Sequence, residues 1–248
     1  MEKELQGRVG IVTGGSSGIG YAIANALAEA GATVYVISRT GGEKKGLEPN
    51  RSGVIHTMGD VTHMEEMRSL VGAIAAKDGL DFLVNNAGIT KKCRAEDFPM
   101  EDFERILRVN VTGIFSLCQS AYPYLKESRH KGRIVNISSM AAHLGFSEVV
   151  PYCTSKGAVL AMTCGLAVEW ANDNVMVNSI APGWFPSEMN KQVMDAERKA
   201  KILSRMPVHK FGDTRDIGAM ALFLVSDGAK YITGQDYAVD GGALAFGY

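Results

Sequence analysis

Cysteine is scarce in this 248-residue chain, and the four present (Cys93, Cys118, Cys153 and Cys164) fit neither a disulfide framework nor a metal cluster by spacing. They read as reduced thiols of a cytoplasmic protein, and no metal is expected. Cys153 sits beside a tyrosine of interest below, but small helix filler accounts for it better than a nucleophile does. A surplus of one charge sign is also missing. A formal net charge of -1 leaves no electrostatic footprint for nucleic acid or for an anionic membrane. Long apolar runs are absent too. The opening MEKELQGRVG has no hydrophobic stretch, so no secretory signal is expected, and the apolar segment 217–225 is far too short to span a bilayer. No linker, repeat or low-complexity run divides the chain. The expectation is a single domain over residues 1–248, with a hydrophobic content of 46% to build its core.

What is present begins at residues 8–39, RVGIVTGGSSGIGYAIANALAEAGATVYVISR. Val9, Ile11 and Val12 read as a short buried strand, and Val34, Val36 and Ile37 as a second. Between them Ile19, Ala22, Ile23, Ala26, Leu27 and Ala30 recur with a helical period. Gly14, Gly18 and Gly20 occupy the turn between the first strand and the helix, where backbone N–H groups and the positive helix end suit a pyrophosphate. The βα alternation continues through Phe82-Leu83-Val84, through Ile134, Val135 and Ile137, through Val175, Val177 and Ile180, and through Tyr237-Ala238-Val239. Right-handed crossovers turn that alternation into a doubly wound parallel sheet with helices on both faces, the Rossmann arrangement.

The chemistry points to a second region. Tyr152 and Lys156 lie four residues apart on a predicted helix, so the phenol and the ammonium share one face. Ser139 lies thirteen residues earlier, at the end of a predicted strand. A free tyrosine titrates near ~10. A lysine cation beside it is expected to lower that value by roughly three units, about 4 kcal/mol, enough for acid–base work at neutral pH.

Together these segments resemble the short-chain dehydrogenase/reductase family along almost the whole chain. The family's cofactor motif matches Thr13-Gly14-Gly15-Ser16-Ser17-Gly18-Ile19-Gly20, and its structural motif matches Asn85-Asn86-Ala87-Gly88. Its catalytic asparagine matches Asn110, its serine, tyrosine and lysine match Ser139, Tyr152 and Lys156, and its Pro-Gly motif matches Pro182 and Gly183, with Ser187 just beyond. The resemblance implies reversible interconversion of a secondary alcohol and a ketone by hydride transfer. Tyr152 would be the acid/base and Ser139 the group orienting the substrate oxygen. Lys156 would also hold the nicotinamide ribose, and Asn110 would position a water linking Lys156 to solvent. A dinucleotide-sensing protein without catalysis is the reading from another class, and retention of all four residues speaks against it.

The cofactor is read further at the end of the second strand. NAD-preferring enzymes place an acidic residue there, whereas this chain has Ser38 followed by Arg39, whose guanidinium suits a 2′-phosphate. NADP(H) is therefore the expected cofactor, with NAD(H) possible. Asp60 and Val61 match the family's segment beside the adenine. Residues 40–53, TGGEKKGLEPNRSG, are shorter than the family's usual segment and contain no helical pattern, so a mobile loop is expected there.

For the substrate, the closest resemblance is to the gluconate 5-dehydrogenase-like branch, carried by Ile89-Thr90-Lys91-Lys92 and by segments 139–145 and 181–185. Lys92, His143 and Trp184 are the candidate substrate contacts. His143 stands where gluconate-type enzymes carry an acid, and with Met140, Leu144 and Phe185 nearby a hydroxysteroid or other alicyclic alcohol remains open. A 3-oxoacyl-carrier-protein reductase is a further alternative, although Asn172-Asp173-Asn174 at the end of the tyrosine helix would not attract an acidic carrier. Residues 187–206 are expected to form a lid. Apolar residues on more than one face of the segment from Phe103 to Leu125, and Ala158, Ala161, Thr163, Cys164 and Ala167 on the tyrosine helix, point to subunit contacts. A homotetramer is expected, using the apolar segment 241–248 as well, with a dimer as the alternative.

Overall fold

Five consecutive buried residues, Val9–Thr13, form strand β1, as a strand covered on both faces must. It lies third in a seven-stranded parallel sheet and pairs with β2 (Thr33–Ser38) on one side and β4 (Phe82–Asn85) on the other. The computed structural model describes residues 3–185 and 196–246. With β3 (Val54–Met58), β5 (Gly132–Ile137), β6 (Val175–Pro182) and β7 (Asp236–Val239) the order is β3-β2-β1-β4-β5-β6-β7. The order reverses between β1 and β4, and the crevice at that switch point is where open α/β sheets bind ligands. Gly10 allows the closest approach in the sheet, since a Cβ there would sit 2.0 Å from the Phe82 ring.

Helices cover both faces. α1 (Gly18–Glu29) packs on one, where Ile23, Leu27, Val34, Val36, Val84 and Ile217 share a buried cluster. On the other, α2 (Met64–Asp78) joins Ile11, Val71, Leu83, Leu117, Ile134 and Val159 in a second cluster. The expected helix from Phe103 to Leu125 is broken: α3 (Met100–Leu107) and α4 (Gly113–Leu125) flank a π-helical turn at Arg108–Thr112. Such turns often mark functional sites, and this one carries Asn110. α5 (Val150–Trp170) bears Tyr152 and Lys156, as the periodicity predicts. α6 (Ala196–Arg205) covers the second half of the expected lid, whose first part lies outside the described residues together with Ser187. α7 (Thr214–Val225) packs on α1, and α8 (Ala243–Phe246) ends the description.

Strand β3 carries no signal in the sequence pattern. Its residues Val54-Ile55-His56-Thr57-Met58 are at most half-buried, as befits a sheet edge. No described helix is long and apolar enough to cross a membrane.

Candidate active site

The sheet's C-terminal edge and the helices beside it carry the predicted residues. The glycine-rich turn leaves β1 with Gly14 at φ 66, where a Cβ would meet the Ala87 Cα at 2.9 Å. Ala87 and Asn86 close over this turn from β4: both their N–H groups donate to the Thr13 Oγ1 at 3.1 Å, and the Asn86 Nδ2 donates to the Thr13 and Gly14 carbonyls at 3.0 and 3.1 Å. Ser16 and Ser17 complete the turn, Gly18 begins α1 at φ 58, and Ile19 packs back onto the core. A Cβ at Gly18 would meet nothing within 4 Å. Among the described residues no side chain caps the N-terminus of α1. A helix start with uncapped amides facing open space fits a dinucleotide pyrophosphate.

At the far end of the crevice Ser38 is buried, Arg39 is exposed, and Val61 belongs to the core. Asp60 accepts from the Thr62 N–H at 2.9 Å and from its hydroxyl at 2.8 Å. Burial alone would raise its carboxyl, but those bonds and the charges of His63 and Arg39 outweigh it and hold the group below the usual range.

β5 delivers Ser138 and Ser139. The Ser139 Oγ accepts from the Ala141 N–H at 3.1 Å and caps a short 3₁₀ turn, Met140–Ala142. That leaves its own proton free to point elsewhere, and Ser139 bonds the Tyr152 phenol. Lys156 is buried and donates from Nζ to the Ile137 carbonyl at 2.7 Å, with Nζ 5.6 Å from the centre of the Tyr152 ring. Gly88 lies alongside, where a Cβ would come 3.8 Å from that Nζ. The Asn110 Oδ1 accepts from the Ile89 N–H at 2.8 Å, while its Nδ2 donates to the Ile89 carbonyl at 2.9 Å and to the Ser155 Oγ at 3.0 Å. The π turn thus pins the segment after β4 to the residue before Lys156.

The expected electrostatics are corrected here. The Tyr152 side chain is only partly shielded from solvent, yet its surroundings are dense enough that burial raises the phenol. The Ser139 bond opposes that rise and Cys153 adds to it. Lys156 does not overturn the balance, because burial lowers the ammonium itself to about 8 and its Nζ is turned toward a backbone carbonyl.

The candidate substrate residues are spread around this centre. Lys91 is paired with Asp102, and Lys92 with Glu148 at 3.0 Å, so both ammonium groups of the basic pair are already matched by acids. Trp184 is half-buried and makes an edge contact with Phe146, with ring centres 6.2 Å apart. His143 is exposed and donates from Nε2 to the Asp236 carboxylate at 2.6 Å. Asp236 also accepts from Ser138 at 2.7 Å and from Ser179 at 2.6 Å. No sequence signal singles out Asp236, which is 93 residues from His143 and meets it only through the pairing of β7 with β6. Pro182 ends β6, and Gly183 passes so close to β7 that a Cβ would sit 2.6 Å from the Asp240 Cα. A cavity of about 190 Å³ behind Trp184 and Phe185 contains none of Ser139, Tyr152 or Lys156.

A glycine-rich helix start at the switch point, with serine, tyrosine and lysine meeting beside it, defines a nucleotide-dependent oxidoreductase that works on an alcohol or carbonyl carbon. Residues 14–243 match the family model described as enoyl-(acyl carrier protein) reductase. The chain is 37% identical to 2-dehydro-3-deoxy-D-gluconate 5-dehydrogenase of Bacillus subtilis, covering 97% of this chain and 96% of that one. It is 38% identical to a 3-oxoacyl-(acyl-carrier-protein) reductase of Aquifex aeolicus, covering 98% and 99%. Among solved structures, a gluconate 5-dehydrogenase from Burkholderia cenocepacia in complex with NADP and tartrate superimposes with a TM-score of 0.89 at 30% identity, covering 98% of each chain. The chain belongs to the short-chain dehydrogenase/reductase family.

Proposed function

We propose that this enzyme interconverts a keto sugar acid and the corresponding secondary alcohol with NADP(H), NAD(H) serving as a weaker alternative. The observation that carries the reading is the meeting of Ser139, Tyr152 and Lys156 beside the uncapped start of α1. The bound nicotinamide supplies or takes the hydride. Tyr152 gives its proton to the substrate oxygen in reduction and takes it back in oxidation; a phenol held protonated by its surroundings suits the reductive direction. Ser139 donates to the same oxygen, freed to do so because its acceptor side is filled by the Ala141 N–H. Lys156 holds the nicotinamide ribose. Asn110 holds Ile89 against α5 and, as the family resemblance implies, would position a water linking Lys156 to solvent. Gly14, Ser16, Ser17, Gly18 and Ile19 seat the pyrophosphate. Ser38, Arg39, Asp60 and Val61 serve the adenosine, while Asn86, Ala87, Gly88, Pro182, Gly183 and Ser187 complete the cofactor site.

The sugar-acid reading draws support from the names of the relatives and from the polar corner at His143 and Asp236. An imidazole that donates from Nε2 keeps Nδ1 as an acceptor for a substrate hydroxyl, with Lys92 and Trp184 at the rim. That corner suits a polyol better than a steroid. The similarity to a 3-oxoacyl-carrier-protein reductase favours a second reading, but Glu169 and Asp173 at the end of α5 would repel an acidic carrier. A panel of 5-ketogluconate, 2-dehydro-3-deoxygluconate, a decalone and an acetoacetyl thioester, each followed by NADPH absorbance, tests the choice. Highest kcat/KM on the thioester or the decalone would overturn it.

The protein acts as one domain in the cytoplasm, consistent with its unpaired cysteines. It assembles as a homotetramer. Val168 is 82% exposed on α5 and Phe115 41% on α4, an apolar face that a second subunit would cover, while exposed Phe246 suits a further contact. Thr163 and Ala167, expected in that interface, are instead buried within the chain, Thr163 against Asn136. Light scattering at micromolar concentration is expected to give the tetramer mass. A monomer there would refute the assembly.

A further inference from the structure

The 40–53 loop is not the loosely held segment its composition predicts. It has no helix or strand, yet it is tied down along its length. Near its start the Lys44 N–H donates to the Ser16 carbonyl at 2.9 Å, which joins the loop to the glycine-rich turn. Midway, the Tyr21 hydroxyl of α1 donates to the Glu48 carbonyl. Further along α1, Asn25 grips the loop's far end: its Oδ1 accepts from the Arg51 N–H at 2.7 Å, and its Nδ2 donates to the Asn50 Oδ1 at 2.9 Å. Asn50 then donates to the Glu43 carboxylate and to the His56 Nε2, the latter at 2.6 Å, which ties the end of the loop to its beginning and to β3.

This pattern has a physical logic. The loop's one large apolar side chain, Leu47, is 38% exposed, so no core holds the segment. Hydrogen bonds from α1 do that instead, and a loop ordered in advance loses less conformational entropy when a ligand arrives. The loop also follows Arg39 and carries Lys44 and Lys45, the next basic residues along the chain after β2. Its anchor at Ser16 places it over the pyrophosphate end of the crevice.

We propose that Asn25, with Tyr21, is a specificity-determining positioning residue: it locks the 40–53 loop so that Arg39 and the loop form a preset seat for the 2′-phosphate of NADP(H). The preference for NADP(H) over NAD(H) then depends on an asparagine about two helical turns from the glycine-rich end of α1 and turned toward the loop. This rests on the NADP(H) reading above.

The test is fluorescence titration of NADPH and NADH on the full chain for wild type, Asn25→Ala, Asn25→Asp, Asn50→Ala and Arg39→Ala, with a melting curve for each. Asn25→Ala is expected to weaken NADPH about tenfold and NADH less than about twofold. Asn25→Asp keeps the oxygen that receives the Arg51 N–H and loses the amide donor, so it should fall between. Asn50→Ala should act like Asn25→Ala from the loop side, and it stands in should Asn25→Ala fail to fold. Equal weakening of both cofactors by Asn25→Ala would mark a general structural role and overturn the proposal. If Arg39→Ala lowers the preference and neither asparagine variant does, the lock is wrong while the NADP(H) reading stands. If none of the variants changes the preference, both fall. Loss of preference in the asparagine variants but not in Arg39→Ala keeps the lock and assigns the phosphate to the loop.

Discussion

At the proposed catalytic end of the crevice the side chains assigned to the chemistry ride on regular elements, Ser139 just past strand β5 and Tyr152 with Lys156 on a 21-residue helix. At the adenosine end Arg39 leaves the sheet beside an edge strand, and the segment that follows is fastened by the side chains of Tyr21, Asn25 and Asn50. The first arrangement draws its precision from buried packing and backbone hydrogen bonds shared by many residues. The second relies on a few polar contacts, each replaceable by a single mutation. Chemistry should therefore fail in an all-or-none manner and cofactor choice should shift by degrees.

The sharpest break belongs to the catalytic end. Tyr152→Phe removes only the titratable oxygen, so turnover is expected to fall by about a thousandfold or more while NADPH still binds, as single-turnover rates and titration would reveal. A Phe variant with near wild-type turnover would end the assignment.

Lys156 exposes the stability that this end gives up for its chemistry. Below pH 8 folded and unfolded chains both carry the ammonium, and the folded state bears the burden of burying it. Between about 8 and the ordinary 10.5 the folded chain has released a proton that the unfolded chain keeps, so stability rises with pH across that window. Tyr152 works in the opposite sense only above its ordinary 10.0, where the unfolded phenol ionises first. Lys156→Met should flatten the rise, which is at most about 3 kcal/mol, and chemical denaturation at pH 7 and pH 9.5 would measure it. An equal rise in wild type and variant would contradict the buried, charged lysine.

The adenosine end should yield more gradually. Arg39→Asp replaces attraction to a 2′-phosphate by repulsion, and the NADPH to NADH ratio of kcat/KM is expected to fall by about a hundredfold or less, reversing the preference. Equal use of both cofactors by the wild type would show the loop overriding the arginine. Smallest of all, Asn110→Ala leaves the Ile89 N–H and carbonyl without their side-chain partner, while the Ser155 hydroxyl still donates to the Tyr152 carbonyl, a loss of about 1–3 kcal/mol of stability visible in a urea titration. A loss confined to turnover, with stability unchanged, would separate Asn110 from that scaffold.

Both ends differ in how far they could be read beforehand. The β1–turn–α1–β2 unit and the one-faced placement of Tyr152 and Lys156 follow from local periodicity, because strand and helix spacing decide which side chains share a face. Edge strand β3 escaped, since none of its residues is fully buried and its apolar Val54 and Ile55 are adjacent rather than alternating. So did the π turn at Arg108–Thr112, because nothing in the run Arg-Val-Asn-Val-Thr marks locally where packing will widen the helix by one residue. Thr163 and Ala167 looked like interface residues because small side chains fit either a partner or a core; Asn136 and the inner cluster claimed them.

By itself the sequence determined the class of fold, the β1–α1–β2 unit and the shared helix face of Tyr152 and Lys156, all of which depend on neighbours within a turn or a strand. The tertiary structure alone decided the direction in which Tyr152 and Lys156 shift, since desolvation depends on everything packed around them. It alone brought Asp236 to His143, and Asn25 to Asn50 and Arg51, because hydrogen bonds between distant segments leave no periodic trace along the chain.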